Sequence, residues 1–135
     1  MSTVWLARRA REVVSVEDDP AWFKRLSVPL ARYPHVSVVF ADSQAEYVSA
    51  LAQPFDVVIV DGSWRAQCIR RAADWIRPGA TIVIDDTDKG DEYSELENIA
   101  GCCFPEADCQ RFSGYAHGCL VPHETTVFRI EGDEL

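Results

Sequence analysis

Residues 55–62 of the chain read FDVVIVDG, an apolar run that ends in an aspartate and a glycine. The segments 13–20, VVSVEDDP, and 80–86, ATIVIDD, follow the same pattern. Apolar runs of this length are typical of the buried parallel strands of an α/β sheet. Ligands bind such sheets at the carboxyl ends of the strands, so the acids there should line one crevice. These acids are Glu17, Asp61, Asp85 and Asp86.

The rest of the chain alternates between helical and strand patterns, which predicts a parallel sheet with right-handed crossovers. Helices are predicted at 3–11, from Pro20 onward, from 43 to about 51, at 64–76 and at 91–100. Strands are predicted at 12–16, 36–40, 55–60, 81–84, 111–115 and 125–131. We expect the strands at 55–60 and 81–84 to be central, and the first of them to be covered on both faces. An Arg-Pro-Gly turn at 77–79 should separate the fourth helix from the strand that follows.

Composition narrows the class of protein. A chain of 135 residues with 47% hydrophobic content suits one compact domain covering 1–135. Its net charge of -9 argues against nonspecific nucleic-acid binding, and a small-molecule partner is the simpler expectation. The longest apolar runs are too short to cross a membrane, and no secretory signal opens the sequence, so a cytoplasmic location is expected.

The five cysteines predict reduced thiols rather than a disulfide framework, because their number is odd and no secretion signal is present. Several lie with two histidines in the last third of the chain. A structural zinc site would fit these residue types, but no Cys-x-x-Cys pair supplies the usual spacing. The cluster comprises Cys102, Cys103, Cys109, His117, Cys119 and His123.

Each acid has a structural and a functional interpretation. Glu17 could accept hydrogen bonds from both hydroxyls of a ribose or could cap a helix, and Asp42 could contact an adenine amino group or act as a cap. Asp61 follows a buried strand, where a carboxylate is costly unless it is paired, solvated or bound to a ligand. Together with Asp85 and Asp86 it would suffer repulsion unless a cation, a proton or Arg65 relieves it.

The segments VVSVEDDPAWFKRL, FDVVIVDGSWRAQCIRRAADWIRPGATIVIDD and ETTVFRI resemble the class I S-adenosylmethionine (SAM)-dependent methyltransferases. The resemblance covers nearly the whole chain, and it implies a Rossmann-like, mostly parallel sheet in a three-layer α/β/α arrangement. It also implies that Glu17 binds the cofactor ribose and that Asp42 and Ser43 lie near its adenine. Asp61 matches the acid after the family's fourth strand, which lies near the methionine moiety, the acceptor or a metal.

The same resemblance implies roles for the acids of the second half. Asp61, Asp85 and Arg65 are the predicted catalytic residues, with Arg65 holding an acidic acceptor or serving only as a surface charge. Asp61, Asp85 and Asp86 are the predicted ligands of a magnesium or calcium ion. The metal-dependent members have Asp-Asn after the fifth strand, where this chain has Asp85-Asp86.

The resemblance also implies a first strand and glycine-rich loop that should precede residues 2–7. Without that strand, the strands at 13–16 and 55–60 would keep exposed hydrogen-bonding edges. Three explanations are open: a fragment of a longer enzyme, recruitment of a strand from a partner copy in a homodimer, or a rearranged remnant without catalysis.

Two functions from different classes follow. The first is transfer of a methyl group from SAM to an oxygen or nitrogen of a small molecule, and the alternative is an inactive domain that acts through self-association or a protein partner. An NAD-dependent oxidoreductase would need a glycine-rich turn before Glu17, and the first glycine is Gly62. His117 and His123 are expected to be solvated loop residues rather than proton shuttles. Tyr93 and Tyr115 are expected to pack.

Overall fold

The structure, a computed structural model, describes residues 2–89, 91–115 and 120–132. Residues that are close in space group the chain into two compact units, Met1–Ala50 and Leu51–Leu135. Each unit has its own sheet. The single domain expected over residues 1–135 stays a prediction.

The first unit contains a two-stranded parallel sheet and three helices. Its elements are α1 (Ser2–Leu6), β1 (Val13–Glu17), α2 (Pro20–Leu30), β2 (Val36–Phe40) and α3 (Gln44–Ser49). The strands pair in register from Val13 with Val36 to Glu17 with Phe40. A small apolar core of Ala7, Leu26 and Leu30 is buried in this unit. Helix α1 is shorter than the predicted helix at 3–11, since the chain turns after Leu6.

The second unit contains a four-stranded sheet and two helices. Its elements are β3 (Phe55–Val60), α4 (Arg65–Ala72), β4 (Ile76–Ile84), α5 (Asp91–Cys103), β5 (Asp108–Gly114) and β6 (His123–Arg129). The strand order is β3-β4-β6-β5, with β3 parallel to β4, and with β6 antiparallel to both β4 and β5. The buried core of this unit is formed mainly by Val60, Ile69, Ile82, Ile84, Leu96, Phe104 and Phe128.

The expectation of one mostly parallel sheet is therefore wrong in its details. The alternation of helices and strands is confirmed, but β1 and β3 share no ladder among the described residues, and two sheets result. The larger sheet is mixed because β6 lies between β4 and β5 and runs against both. The three-layer arrangement predicted for the whole chain stays a prediction.

Strand β3 differs from its prediction as a central strand covered on both faces. It is an edge strand of its sheet, paired only with β4 among the described strands. Val58 and Val60 point toward the core of this unit, whereas Val57 and Ile59 on the other face are 48% and 38% exposed. The uninterrupted apolar run therefore does not reflect two-sided burial within the described chain.

Strand β4 is longer than predicted, because the expected turn at 77–79 lies inside it. Its pairing with β3 shifts between Phe55 and Val57, which accommodates the extra residues of β4. Gly79 sits in this irregular stretch with a φ of 80°, a conformation that a residue with a Cβ rarely adopts. Among the described residues, no helix has the length and apolar character that a membrane crossing requires.

Candidate active site

The first unit brings three of the predicted cofactor-binding residues to one end of its sheet. Strands β1 and β2 are parallel and end together, and the amide of Ala41 donates to the carbonyl oxygen of Glu17 at 3.1 Å. Asp42 and Ser43 follow directly. Glu17, Asp42 and Ser43 therefore lie at the same end of this sheet, and the single crevice expected for Glu17, Asp61, Asp85 and Asp86 stays a prediction.

The carboxylate of Glu17 is fixed at the end of β1. Its Oε1 atom accepts hydrogen bonds from the amides of Asp18 and Asp19, both at 3.1 Å. The cap of α2 is Asp19 instead, whose Oδ1 accepts from the amides of Ala21 at 2.7 Å and Trp22 at 3.1 Å. Capping of α2 therefore does not explain the carboxylate of Glu17.

Asp42 and Ser43 differ in their surroundings. The hydroxyl of Ser43 accepts a hydrogen bond from the amide of Glu46 at 3.4 Å, so Ser43 is the N-cap of α3. Asp42 is exposed. Ser43 therefore has a structural role as a cap, and its role near an adenine stays a prediction.

In the second unit, the ends of β3 and β4 gather three carboxylates. Val60 pairs with Ile84, and the amide of Asp85 donates to the carbonyl oxygen of Val60 at 3.1 Å. Carboxylate oxygens of Asp61, Asp85 and Asp86 lie within 4.8 Å of one another. Partial burial raises the pKa of Asp61, and the nearby carboxylate of Asp85 raises it further.

Arg65 supplies a positive charge that offsets the repulsion among these carboxylates. Its Nε and one terminal nitrogen donate to the carbonyl oxygens of Gly62 and Asp61, both at 3.0 Å, and its other terminal nitrogen donates to the carbonyl oxygen of Asp85. The guanidinium also lies 3.6 Å from the carboxylate of Asp61 and 3.7 Å from that of Asp86. Arg65 is thus more than a surface charge, and its contact with an acidic acceptor stays a prediction.

Asp86 occupies a special backbone position. Its φ is 57°, in the left-handed region, which aspartate and asparagine tolerate better than most other residues. Its Oδ2 atom lies 2.5 Å from Nζ of Lys89, and its Oδ1 atom lies 3.5 Å from Nδ1 of His123. The neighbouring Asp85 accepts a hydrogen bond from the hydroxyl of Thr125 at 2.6 Å.

A cleft of about 500 Å³ borders these acids in the second unit. Its lining includes Asp85, Asp86, Lys89, Phe112, Tyr115, His123 and Thr125. The sequence interpretation missed Lys89, Phe112 and Thr125, because antiparallel pairing of β6 with β4 and β5 brings distant segments together. Of these three residues, only Lys89 could have been found from a local sequence pattern, because it lies three residues after Asp86.

The predictions for the late histidines and tyrosines have mixed outcomes. His123 was expected to be solvated in a loop, but it begins β6 and its side chain is 22% exposed. Tyr115 was expected to pack, but it is 75% exposed. His117 and the side chain of Tyr93 lie outside the described residues.

The cysteine cluster is described only in part. Cys68, Cys102, Cys103 and Cys109 are free thiols, and none belongs to a group of candidate metal ligands within the described ranges. Cys119, like His117, lies outside those ranges.

Comparison with known proteins identifies the class. Residues 1–87, more than half of the chain, match the sequence family described as "Methyltransferase domain". A comparison with curated proteins gives no match.

Solved structures, two of them described as O-methyltransferases, share the fold. The O-methyltransferase TomG from Streptomyces achromogenes, in complex with SAM, has a TM-score of 0.76 and 18% identity over 97% of this chain and 68% of its own. The O-methyltransferase from Bacillus cereus, in complex with SAH, has a TM-score of 0.76 and 15% identity, over 96% of this chain and 69% of its own. Cofactor-bound Rv0187 from MTB has a TM-score of 0.75 and 23% identity, over 98% and 68%.

The family match defines a SAM-dependent methyltransferase domain. The chain belongs to the class I SAM-dependent methyltransferase family, as its sequence match over residues 1–87 shows. The three solved relatives are at most 23% identical to this chain, so their likeness shows a shared fold and does not show the substrate.

Proposed function

We propose that this chain is a cytoplasmic enzyme that transfers a methyl group from SAM to an oxygen or nitrogen of a small molecule. The observation that carries the proposal is the Glu17 carboxylate, held at the end of β1 by two backbone amides and not used to cap α2. A fixed carboxylate at a strand end is the group that accepts ribose hydroxyls in nucleotide-binding sheets.

The first unit fits the adenosine part of SAM. Glu17 uses Oε1 for the amides of Asp18 and Asp19, so Oε2 is the oxygen assigned to the ribose hydroxyls. Asp42 is exposed at the end of the adjacent strand, where its carboxylate could accept a hydrogen bond from the adenine amino group. Ser43 fixes the start of α3 beside it. In the second unit, Asp61 is assigned to the methionine end.

SAM supplies a methyl group on a positively charged sulfur, and the departing sulfur keeps the electron pair of the broken bond. The protein has to orient the acceptor, exclude water and accept the proton that the acceptor loses. Asp61 and Asp85 are the assigned proton acceptors, because their carboxylates lie together after β3 and β4 and Asp85 lines the cleft. Arg65 holds these strand ends and is assigned to an acidic group of the acceptor.

The predicted magnesium or calcium site fits these residues poorly. The oxygens of Asp61, Asp85 and Asp86 are of the right type, but the guanidinium of Arg65 lies beside two of the carboxylates and Lys89 pairs with Asp86. Two cations already offset most of the charge that would attract such an ion. We therefore derive no catalytic step through magnesium or calcium.

The cleft in the second unit supports a small-molecule acceptor. Its volume of about 500 Å³ is in the range of small-molecule sites, and its lining combines the aromatic rings of Phe112 and Tyr115 with charged side chains. The net charge of -9 disfavours a nucleic-acid backbone as the acceptor.

Calorimetric titration with SAM and with its demethylated product tests the proposal. We expect saturable binding of both ligands, and Glu17→Gln should weaken it at least tenfold because a carboxylate accepts ribose hydroxyls better than an amide does. Glu95→Gln, an exposed acid on α5, is the matched control and should bind like the unmodified chain. Absence of heat at millimolar ligand, or equal affinity of Glu17→Gln, contradicts the assignment.

A second candidate function is self-association without catalysis, and the edge of β3 favours it. Val57 and Ile59 are exposed on this strand, which has one unpaired edge among the described residues. Such an edge can pair with a second copy of the chain. Light scattering should then give a dimer that Val57→Lys dissociates, whereas a monomer at all concentrations contradicts this candidate.

A further inference from the structure

The imidazole of His123 has a buried nitrogen that makes no hydrogen bond within the described structure. Its Nδ1 atom is inaccessible to solvent and has no hydrogen-bond partner among the described residues. A buried polar atom without a partner costs free energy, commonly about 1 to 3 kcal/mol, so each one calls for an explanation. The nearest carboxylate oxygen, Oδ1 of Asp86, is 3.5 Å away.

The two oxygens of Asp86 face different partners. Oδ2 lies 2.5 Å from Lys89 and 3.7 Å from Arg65, so this oxygen carries the positive contacts. Oδ1 is directed to His123. Arg65 and Lys89, which disfavour an ion among Asp61, Asp85 and Asp86, therefore contact Oδ2 of Asp86. The imidazole of His123 faces the other oxygen, Oδ1.

A third donor lies beside this pair. Carboxylate oxygens of Asp86 and Asp88 and a ring nitrogen of His123 lie within 4.8 Å of one another. Two ligands of one metal ion, each about 2.1 Å from it at a tetrahedral angle, are about 3.4 Å apart. The separation of 3.5 Å between Nδ1 of His123 and Oδ1 of Asp86 is close to this value, and a carboxylate oxygen of Asp88 lies within 4.8 Å of both residues' ligand atoms.

Hydrogen bonds hold the three residues in place without an ion. Oδ1 of Asp88 accepts from the amide of Glu124 at 2.9 Å. The amide of Thr87 donates to the carbonyl oxygen of Glu124 at 2.9 Å, and the hydroxyls of Thr87 and Thr126 are 2.9 Å apart. Residues 86–88 are thereby fastened to the first residues of β6, which keeps the donors together.

We propose that Asp86, Asp88 and His123 form a binding site for a first-row divalent transition-metal ion, with Nδ1 of His123 and one oxygen of each carboxylate as ligands. An imidazole with two carboxylates suits manganese, iron or zinc better than magnesium or calcium, which take oxygen ligands. The site is distinct from the predicted Asp61, Asp85 and Asp86 set, although both use Asp86. It does not depend on the proposed methyl transfer.

Manganese is the best probe, because it favours oxygen and imidazole ligands and so avoids the free thiols of this chain. The full chain is freed of metal with a chelator, dialysed and titrated with Mn²⁺ at pH 8, and free Mn²⁺ is measured by electron paramagnetic resonance. One ion per chain should bind, and electron spin echo modulation from ¹⁴N should show a coordinated histidine. Zinc should displace manganese, following the usual order of affinities.

Four variants test which residues hold the ion. His123→Ala and Asp88→Asn should each weaken Mn²⁺ binding about 10- to 100-fold, at least the loss seen when a supporting residue is removed from a metal site. Lys89→Met should strengthen binding, because the ammonium competes for Asp86. Asp61→Asn should leave the affinity unchanged. Circular dichroism of each variant confirms that it folds.

Two results overturn the proposal. One is the absence of bound Mn²⁺ at millimolar concentration. The other is Mn²⁺ binding that shows no ¹⁴N modulation, is abolished by Asp61→Asn and is unchanged by Asp88→Asn. The ion would then lie among the strand-end carboxylates. The ¹⁴N signal is read on the unmodified chain, so the test holds even if His123→Ala fails to fold.

Discussion

The guanidinium of Arg65 donates a hydrogen bond to the backbone carbonyl oxygen of Asp85, which joins the start of α4 to the end of β4. The same side chain binds the carbonyl oxygens of Asp61 and Gly62 after β3. Arg65 therefore connects two adjacent strand ends through main-chain atoms, and it does so at 12% side-chain exposure. The arginine has a structural role that precedes any contact with an acceptor.

Replacement of Arg65 by Met should destabilise the fold. It would leave the part-buried carbonyl oxygen of Asp85 without its donor and the carboxylates of Asp61 and Asp86 without their shared cation, at a cost of about 2 to 3 kcal/mol. Urea denaturation followed by circular dichroism measures this loss. Arg70→Met, on an exposed position of the same helix, should cost less than about 0.5 kcal/mol. Equal stability of the two variants would show that the contacts of Arg65 contribute nothing to the free energy of unfolding.

Glu97 links α5 to β5 and β6 and makes stability depend on pH. Its carboxylate accepts from Arg111 at 2.8 and 2.5 Å and from the buried hydroxyl of Thr126. The hydrogen bonds from Arg111, with that from Thr126, lower the pKa of Glu97. The stabilisation is present above the unfolded-state pKa and is lost as pH falls through the lowered folded-state pKa.

Glu97→Gln should therefore lower the free energy of unfolding by about 1 kcal/mol at pH 7, a value reduced by the exposure of Arg111. The difference from the unmodified chain should shrink as pH is lowered below about 4. Urea titrations of both proteins at pH 7, 5, 4 and 3 measure this difference in the free energy of unfolding. Glu95→Gln on the same helix is exposed and serves as the control. A difference that stays constant with pH argues against the ion pair as its source.

The core of the second unit should respond strongly to changes at Ile82. This residue of β4 is fully buried, and it belongs to the apolar cluster between the sheet and its helices. Ile82→Ala should cost about 2 to 5 kcal/mol and Ile82→Val about 0.5 to 1.5 kcal/mol, measured by thermal or urea unfolding. Val57→Ala, on the exposed face of β3, should cost less than Ile82→Ala. The reverse order would show that a partner buries β3 in solution.

Much of this fold could be predicted from the sequence, and the failures have physical causes. Strand positions followed from apolar runs. A short polar side chain before a helix has a local capping role, and Asp19 and Ser43 have that role in the structure. Apolar runs do not reveal which neighbours a strand has, so the edge position of β3 was missed. The Asp86 and His123 contact arises from residues 37 positions apart, and no local pattern encodes such a pairing.

Cys68 should be the least reactive of the described thiols. Burial raises its pKa to about 11, and its Sγ lies 3.8 Å from the carbonyl oxygen of Ser63. A rise of two units lowers the thiolate fraction about a hundredfold at pH 8, and the thiolate is the reactive form. Timed alkylation with iodoacetamide, read by peptide mass spectrometry, should label the exposed Cys102 first and Cys68 last. In urea the two rates should converge, and early labelling of Cys68 in the folded chain would show that α4 opens readily.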